Sequence, residues 1–139
     1  MALFTMTDCY ISINGVTLSD HAKSVTTEDN RDQVDFTAFG ATSKVYGKGL
    51  GDGKITVEFF QDYAAGKVHA TLQPLISSTT PFTVEVRPTS AARSATNPAI
   101  LMTGLLFNYS GLAGSIGDAS TMSAEFQNAS QAGVTYPTS

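Results

Sequence analysis

Three adjacent residues near the start of the chain, Ser19, Asp20 and His21, are the residue types of a hydrolytic triad. A triad is a spatial relay in which serine, histidine and carboxylate face one another in turn. Neighbours on one extended segment point apart, so the trio reads as a polar turn. The run GKGLGDGK from Gly47 to Lys54 has the glycine and lysine content of a phosphate loop. Walker-type binding needs G-x-x-x-x-G-K-[ST] opening a helix, so that backbone amides cradle the phosphates. Here five residues separate Gly47 from Gly53, Ile55 stands where the hydroxyl residue belongs, and a strand pattern follows. Asp29, Asp32 and Asp35 lack the glycine and closing glutamate of a calcium loop and read as solvated turn charges. His69 has no second ligand type beside it and reads as a helix residue facing solvent or touching a sheet. Cys9 alternates with Ile11 and Ile13 as a small core side chain, and a lone cysteine closes no internal disulfide. Asn108-Tyr-Ser110 and Asn128-Ala-Ser130 match glycosylation acceptors in form only. No catalytic, cofactor or metal site follows from these residues, and the chain is not expected to be an enzyme.

The elements that carry these residues are mostly strands. Ile11 and Ile13 alternate with Tyr10 and Ser12, and Asn14-Gly15 follows at once, a strong hairpin signal leading into Val16, Thr17 and Leu18. Residues 23–28 form a weaker strand pattern. Residues 33–39 form a better one, with Val34 and Phe36 on one face and Asp35 and Thr37 on the other. The most polar stretch, 26–33, reads as a turn. Residues 54–60 set Ile55, Val57 and Phe59 opposite Lys54, Thr56 and Glu58, and residues 82–87 set Phe82, Val84 and Val86 opposite Thr83, Glu85 and Arg87. Residues 100–109 are apolar on both faces, the pattern of a central strand covered twice, and 121–127 turn Met122, Ala124 and Phe126 inward. Ala64, Val68, Leu72, Leu75 and Ile76 have helical spacing with Asp62 as N-cap, weakened by Gly66 and limited near Gln73 by Pro74.

Strands on both sides of a lone helix, without βαβ alternation, predict a mainly β chain. The expected form is an antiparallel β-sandwich or open barrel with one flanking α-helix. Its core is expected to hold Ile11, Ile13, Val34, Phe36, Ile55, Val57, Phe59, Val84, Val86, Met122 and Phe126, with Val68 and Leu72 from the helix. Two long segments remain, 40–53 with five glycines and 89–98 rich in Ser, Ala and Thr. Long structureless loops are usually functional or mobile, so 40–53 reads as a mobile interaction loop.

Composition narrows the function. With 139 residues, 42% hydrophobic and 14% charged, the chain suits one domain spanning 1–139 with a real core. Twelve acidic against eight basic side chains give a net charge of −4, which argues against gripping nucleic acid by neutralising its phosphates. Serine and threonine make up about a quarter of the residues, where a typical domain is about a quarter charged, so the surface is neutral and polar. Neither a basic leader nor an apolar run of about 18 residues is present. The expectation is a soluble protein made in the cytoplasm, with no membrane partner.

Longer phrases carry a family resemblance. These are INGVTLSD from Ile13, DFTAFGAT from Asp35, GLGDGKITVEFFQ from Gly49, FTVEVRPTS from Phe82, GDAST from Gly117 and FQNAS from Phe126. Together they resemble the major tail tube proteins of long-tailed, siphovirus-type phages infecting actinobacteria, over nearly the whole chain. The resemblance implies a tail-tube-like β-sandwich with one helix, assembled into hexameric rings that stack into a hollow tube for DNA passage during ejection. It implies no cofactor. The implied partners are further copies of the chain, the tape measure and terminator proteins, and DNA that passes without specific binding. The location is the virion tail, after assembly in the host cytoplasm. On this reading Lys44, Val45, Tyr46, Lys48 and Leu50 contact the adjacent ring, and Asp35, Thr37, Thr56 and Glu58 line the lumen. An acidic wall would repel the DNA backbone, although Lys54 shares the polar face of Glu58.

Other readings are a tail terminator, a capsid decoration protein, or an Ig-like or carbohydrate-binding module. Binding modules of the last kind often present aromatic side chains to a ligand. Here there is no Trp, and most Phe residues fall at inward positions.

Overall fold

Asn14 and Gly15 take positive φ angles of 51° and 81°, the conformation of a two-residue hairpin turn. They join β1 (Tyr10–Ile13) to β2 (Val16–Thr17), as the Asn-Gly signal predicts. A 3-10 turn, Ser19–His21, leads into β3 (Ala22–Asp35), which pairs along its length with β4 (Tyr46–Phe60). Helix α1 (Val68–Ile76) precedes β5 (Phe82–Arg87), β6 (Ile100–Tyr109) and β7 (Thr121–Asn128). These elements come from a computed structural model that describes residues 3–139. All pairings are antiparallel, in one seven-stranded sheet of order β2-β1-β5-β6-β7-β4-β3. A cleft of about 370 Å³ lies between Cys9 and Ile11 on the β1 side and Ala22 and Val25 of β3. The described residues are therefore mainly β, one antiparallel sheet with one α-helix.

The core occupies one face of this sheet. Ile11, Ile13, Ile55, Val57, Phe59, Val84, Val86, Met122 and Phe126 are buried there with Val68 and Leu72 of α1, as period-2 and helical spacing predict. Phe82 meets Phe126 edge to face, ring centroids 5.8 Å apart. Cys9 packs partly buried against the same cluster, and burial pushes its thiol pKa up. β6 is central, as expected, but only its Met102, Gly104 and Leu106 face is buried; Phe107 on the other face is exposed.

Four expectations are corrected. Val34 and Phe36 are exposed rather than core, because β3 at that point has β4 beside it and no layer above it. The polar stretch 26–33 is mid-strand, not a turn: a two-stranded ribbon solvated on both faces needs no apolar alternation. The supposed loop 40–53 is strand from Tyr46 onward. The helix starts at Val68, not near Ala64, because Gly66 at φ 74° breaks any earlier turn. Asp62 instead caps that turn, its Oδ1 accepting from Ala64 N–H at 2.9 Å. Pro74 lies inside α1, two residues before its end.

The 89–98 segment is organised by buried Asn97, whose Oδ1 accepts from Thr89 N–H and whose Nδ2 donates to the carbonyls of Thr89, Ala91 and Ala92.

Candidate functional site

The most prominent surface feature is the β3–β4 ribbon. β4 pairs with β7 from Lys54 to Phe60, so the ribbon beyond Gly53 projects from the sheet with only β3 beside it. A row of glycines makes the projection possible. Gly51 and Gly53 continue, at period 2, the face that carries Ile55, Val57 and Phe59; beyond the register shift between Arg31 and Gln33, where β4 carries one extra residue, Gly47 and Gly49 lie on the other face with Asp32, Val34 and Phe36. A Cβ at Gly47 would stand 2.5 Å from the Phe36 ring, one at Gly49 3.0 Å from Asp32 Cβ, and one at Gly51 2.9 Å from Arg31 Nη1. At Gly53 it would strike Val134. The glycines let the side chains of β3 and the C-terminal segment lie across β4, which is close approach rather than looseness.

The distal turn, 36–45, is closed by its own polar groups. Phe36 N–H donates to Val45 O at 2.8 Å, Thr37 N–H to Asp35 Oδ1 at 2.9 Å, and Val45 N–H to Thr37 Oγ1 at 2.8 Å. The Thr37 hydroxyl and N–H hold the Asp35 carboxyl below the usual range. All five residues expected to contact a neighbouring ring sit on this distal half and are exposed: Lys44 and Val45 in the turn, and Tyr46, Lys48 and Leu50 on the strand. Phe36 and Phe39 join them as exposed apolar groups, and sequence periodicity had assigned Phe36 to the core.

The four residues expected to line a lumen do not gather. Asp35 pairs with Tyr46 while Thr56 pairs with Thr26, which puts them roughly 30 Å apart along the ribbon at ~3.3 Å per residue. Asp35 and Thr37 close the turn. Thr56 and Glu58 lie on the body of the sheet, where Glu58 meets Lys23 at 3.7 Å and accepts from Ser24 Oγ at 3.4 Å. Lys54 on the same face pairs with Glu125 at 2.8 Å.

At the ribbon's base, the Ser19-Asp20-His21 trio is a fastener and no relay. The Ser19 hydroxyl accepts from Ile11 N–H at 2.9 Å. Both ring nitrogens of His21 are taken by carboxylates, Nδ1 with Asp20 at 2.8 Å and Nε2 with Asp62 at 2.7 Å, so neither is left to accept a serine proton. The two carboxylates raise the His21 pKa; His21 lowers that of Asp20, and the Ala64 N–H followed by His21 lowers that of Asp62. Lys67 adds a smaller attraction to both carboxylates.

The sign follows from linkage. A raised histidine pKa stabilises the fold fully below about 6.5 and less as pH rises through the folded value. The lowered aspartates stabilise it above about 3.9 and less as pH falls further. His21→Gln is therefore expected to cost on the order of 1 kcal/mol at pH 5.5, after solvent screening, and less at pH 8.5. Urea unfolding of both proteins at the two pH values checks this; a pH-independent difference would remove the assignment.

Two further contacts join elements distant in the chain. His69, on α1, sits 2.6 Å from Tyr109 Oη on β6, a helix-to-sheet contact as one of its two expected readings has it. The C-terminal segment, unmarked in the sequence, pairs at Thr135 with Leu101 and brings Tyr136 Oη to Asp29 at 2.8 Å. Asp29 also pairs with Arg31, and among the described residues no three His, Cys, Asp or Glu side chains cluster as a metal site would require. Among the same residues no helix is long and apolar enough to cross a membrane.

No protein-family model and no curated protein matches the chain by sequence. Solved structures share its fold. A chain from the virion of a native gene transfer agent particle superposes with a TM-score of 0.71 at 10% identity, covering 94% of this chain and 95% of that one. A chain from the tail of an empty gene transfer agent particle with C6 symmetry gives 0.69 at 10% identity, covering 93% of each. At that identity the likeness is one of fold.

Proposed function

We propose that this chain is the repeating subunit of a phage-type tail tube, six copies closing a ring and rings stacking into a conduit through which DNA passes. The observation that carries the reading is the end-to-end likeness of fold to a chain from a C6-symmetric tail. The sequence phrases between Ile13 and Ser130 point the same way, toward long-tailed phages of actinobacteria. Such a subunit is a single structural domain without catalytic function, assembled in the host cytoplasm with tape measure and terminator proteins and resident in the virion tail.

The open edges of the sheet suit ring closure. β3 presents its outer edge over 14 residues, and the opposite edge is the two-residue β2. Exposed edges invite pairing with another chain, and in a ring each subunit offers its neighbour one of the two. The Thr56–Glu58 face suits a channel wall. Its hydroxyls and closed ion pairs, Lys23–Glu58 and Lys54–Glu125, leave no free cation there among the described residues to hold a phosphate.

Negative-stain microscopy of the purified chain tests the proposal. Stacked tubes are the expected result. Single rings that never stack would favour a tail terminator, and monomers at high concentration would overturn the reading.

A further inference from the structure

The loop joining β6 to β7, residues 110–120, lies at the opposite end of β4 from the hairpin tip. Gln61 N–H donates to Ser120 O at 2.9 Å, the Gln61 side chain to Gly111 O at 2.5 Å, and Tyr63 Oη to Gly111 O at 2.7 Å. Fifteen residues of β4 separate the two sites, roughly 45 Å along the strand. The loop is shaped by its own bonds, with Thr121 N–H on Ala113 O at 3.2 Å and Asp118 N–H on Ser115 O at 3.0 Å. It holds Leu112 and Ile116 out in solvent. The tip holds out Phe39 and Val45 in the same way.

The two ends carry opposite net charge: at the tip Lys44 and Lys48 outnumber Asp35, and at the loop Asp118 and Asp62 outnumber Lys67. Lys44 is the only charged residue in 36–45 and Asp118 the only one in 110–120. Among the described residues neither forms an ion pair. A tip-to-tip contact would set Lys44 against Lys44, and a loop-to-loop contact would set Asp118 against Asp118. Like charges placed together suppress both. Tip against loop joins opposite charges and covers apolar groups on both sides. A contact between two different patches of one chain also propagates, since it leaves a free tip at one end and a free loop at the other.

We propose, building on the tube reading, that the hairpin tip of one copy docks on the 110–120 loop of the next copy along the tube. Phe39 and Val45 cover Leu112 and Ile116, and Lys44 pairs with Asp118. One exposed pair is weak, but the contact recurs at every copy of the assembly.

Charge reversal tests the pairing. K44D and D118K are each expected to keep the circular dichroism of the native chain and to lower the sedimentable tube fraction at least about tenfold. The double variant K44D/D118K is expected to restore it. Normal tubes from D118K, or no rescue in the double variant, would overturn the contact while leaving tube formation by the native chain intact. A second measurement needs no tubes. In a Cys9→Ser background, mixed K44C and D118C proteins at high concentration are expected to be joined by a short bis-maleimide, well above the yield from either variant alone. Absence of that product would overturn the contact whether or not the native chain assembles.

Discussion

Phe59→Ala is expected to lower the stability of the subunit by about 3–5 kcal/mol, the cost of emptying a fully enclosed phenylalanine site. Phe59 is 0% exposed and stands opposite Met122 on β7, with Val57 and Ile55 preceding it on the same face. Neighbouring strands on both sides of β4 and the buried cluster around it limit how far the site can collapse, so the cavity term adds to the lost transfer energy. Phe36→Ala is the contrasting case. Its ring is 64% exposed and leans over Gly47, so its loss is expected to change stability by no more than about 0.5 kcal/mol. Urea midpoints with unchanged slopes measure both. Equal losses would mean that the hairpin face is covered in the free subunit, and a negligible loss for Phe59 would reverse the face assignment of β4.

That contrast also shows what periodicity can and cannot deliver. Alternation reports that one face differs from the other, and for Ile11, Val57, Val84 and Phe126 the apolar face is also the buried one. Val34 and Phe36 alternate just as well, yet burial needs a second layer, and alternation carries no information about where the sheet stops. The turn chemistry was legible because Asn14-Gly15 acts locally through φ. The helix start was displaced because Gly66 acts through φ as well, and its break outweighs the capping signal of Asp62.

The glycine row was misread for a different reason. Glycine is permissive, and a run rich in it suggests freedom. Gly47, Gly49, Gly51 and Gly53 nevertheless recur at period 2 in the sequence, the spacing that Ile55, Val57 and Phe59 also keep. That spacing is itself a strand signature: positions kept bare so that Arg31 and Val134 can cross β4 on one face, at Gly51 and Gly53, and Phe36, Val34 and Asp32 on the other, at Gly47 and Gly49. The residues expected at 44–50 to contact a neighbouring ring are strand from Tyr46 onward rather than loop. The residues that fasten the hairpin's base, Tyr136 on Asp29 and Asp62 on His21, lie 107 and 41 positions from their partners. No local pattern marks pairs of that kind.

Because the distal half is already paired, stacking does not have to order it. Fixing a residue's backbone costs roughly 1–2 kcal/mol, and a free loop over 40–53 would have levied that on every docking event. In the structure only the tip outside the β3–β4 pairing escapes strand geometry, so a preformed ribbon presents Lys44, Val45, Tyr46, Lys48 and Leu50 with little entropy left to lose. The decisive variant follows from the register. Asp35 stands directly opposite Tyr46, so replacing 36–45 with Asn-Gly joins them through a two-residue turn that suits the twist of the ribbon. Circular dichroism is expected to be unchanged and the urea midpoint to shift little, since Phe36, Phe39 and Val45 are exposed. Tube growth is expected to be abolished. Cutting deeper, through 45–51, would be a poorer experiment, because it strips the partners of Arg31, Gln33, Val34 and Asp35 from β4 and confounds folding with assembly. Normal tubes from the Asn-Gly variant would take the tip out of stacking and move that role to the chain termini.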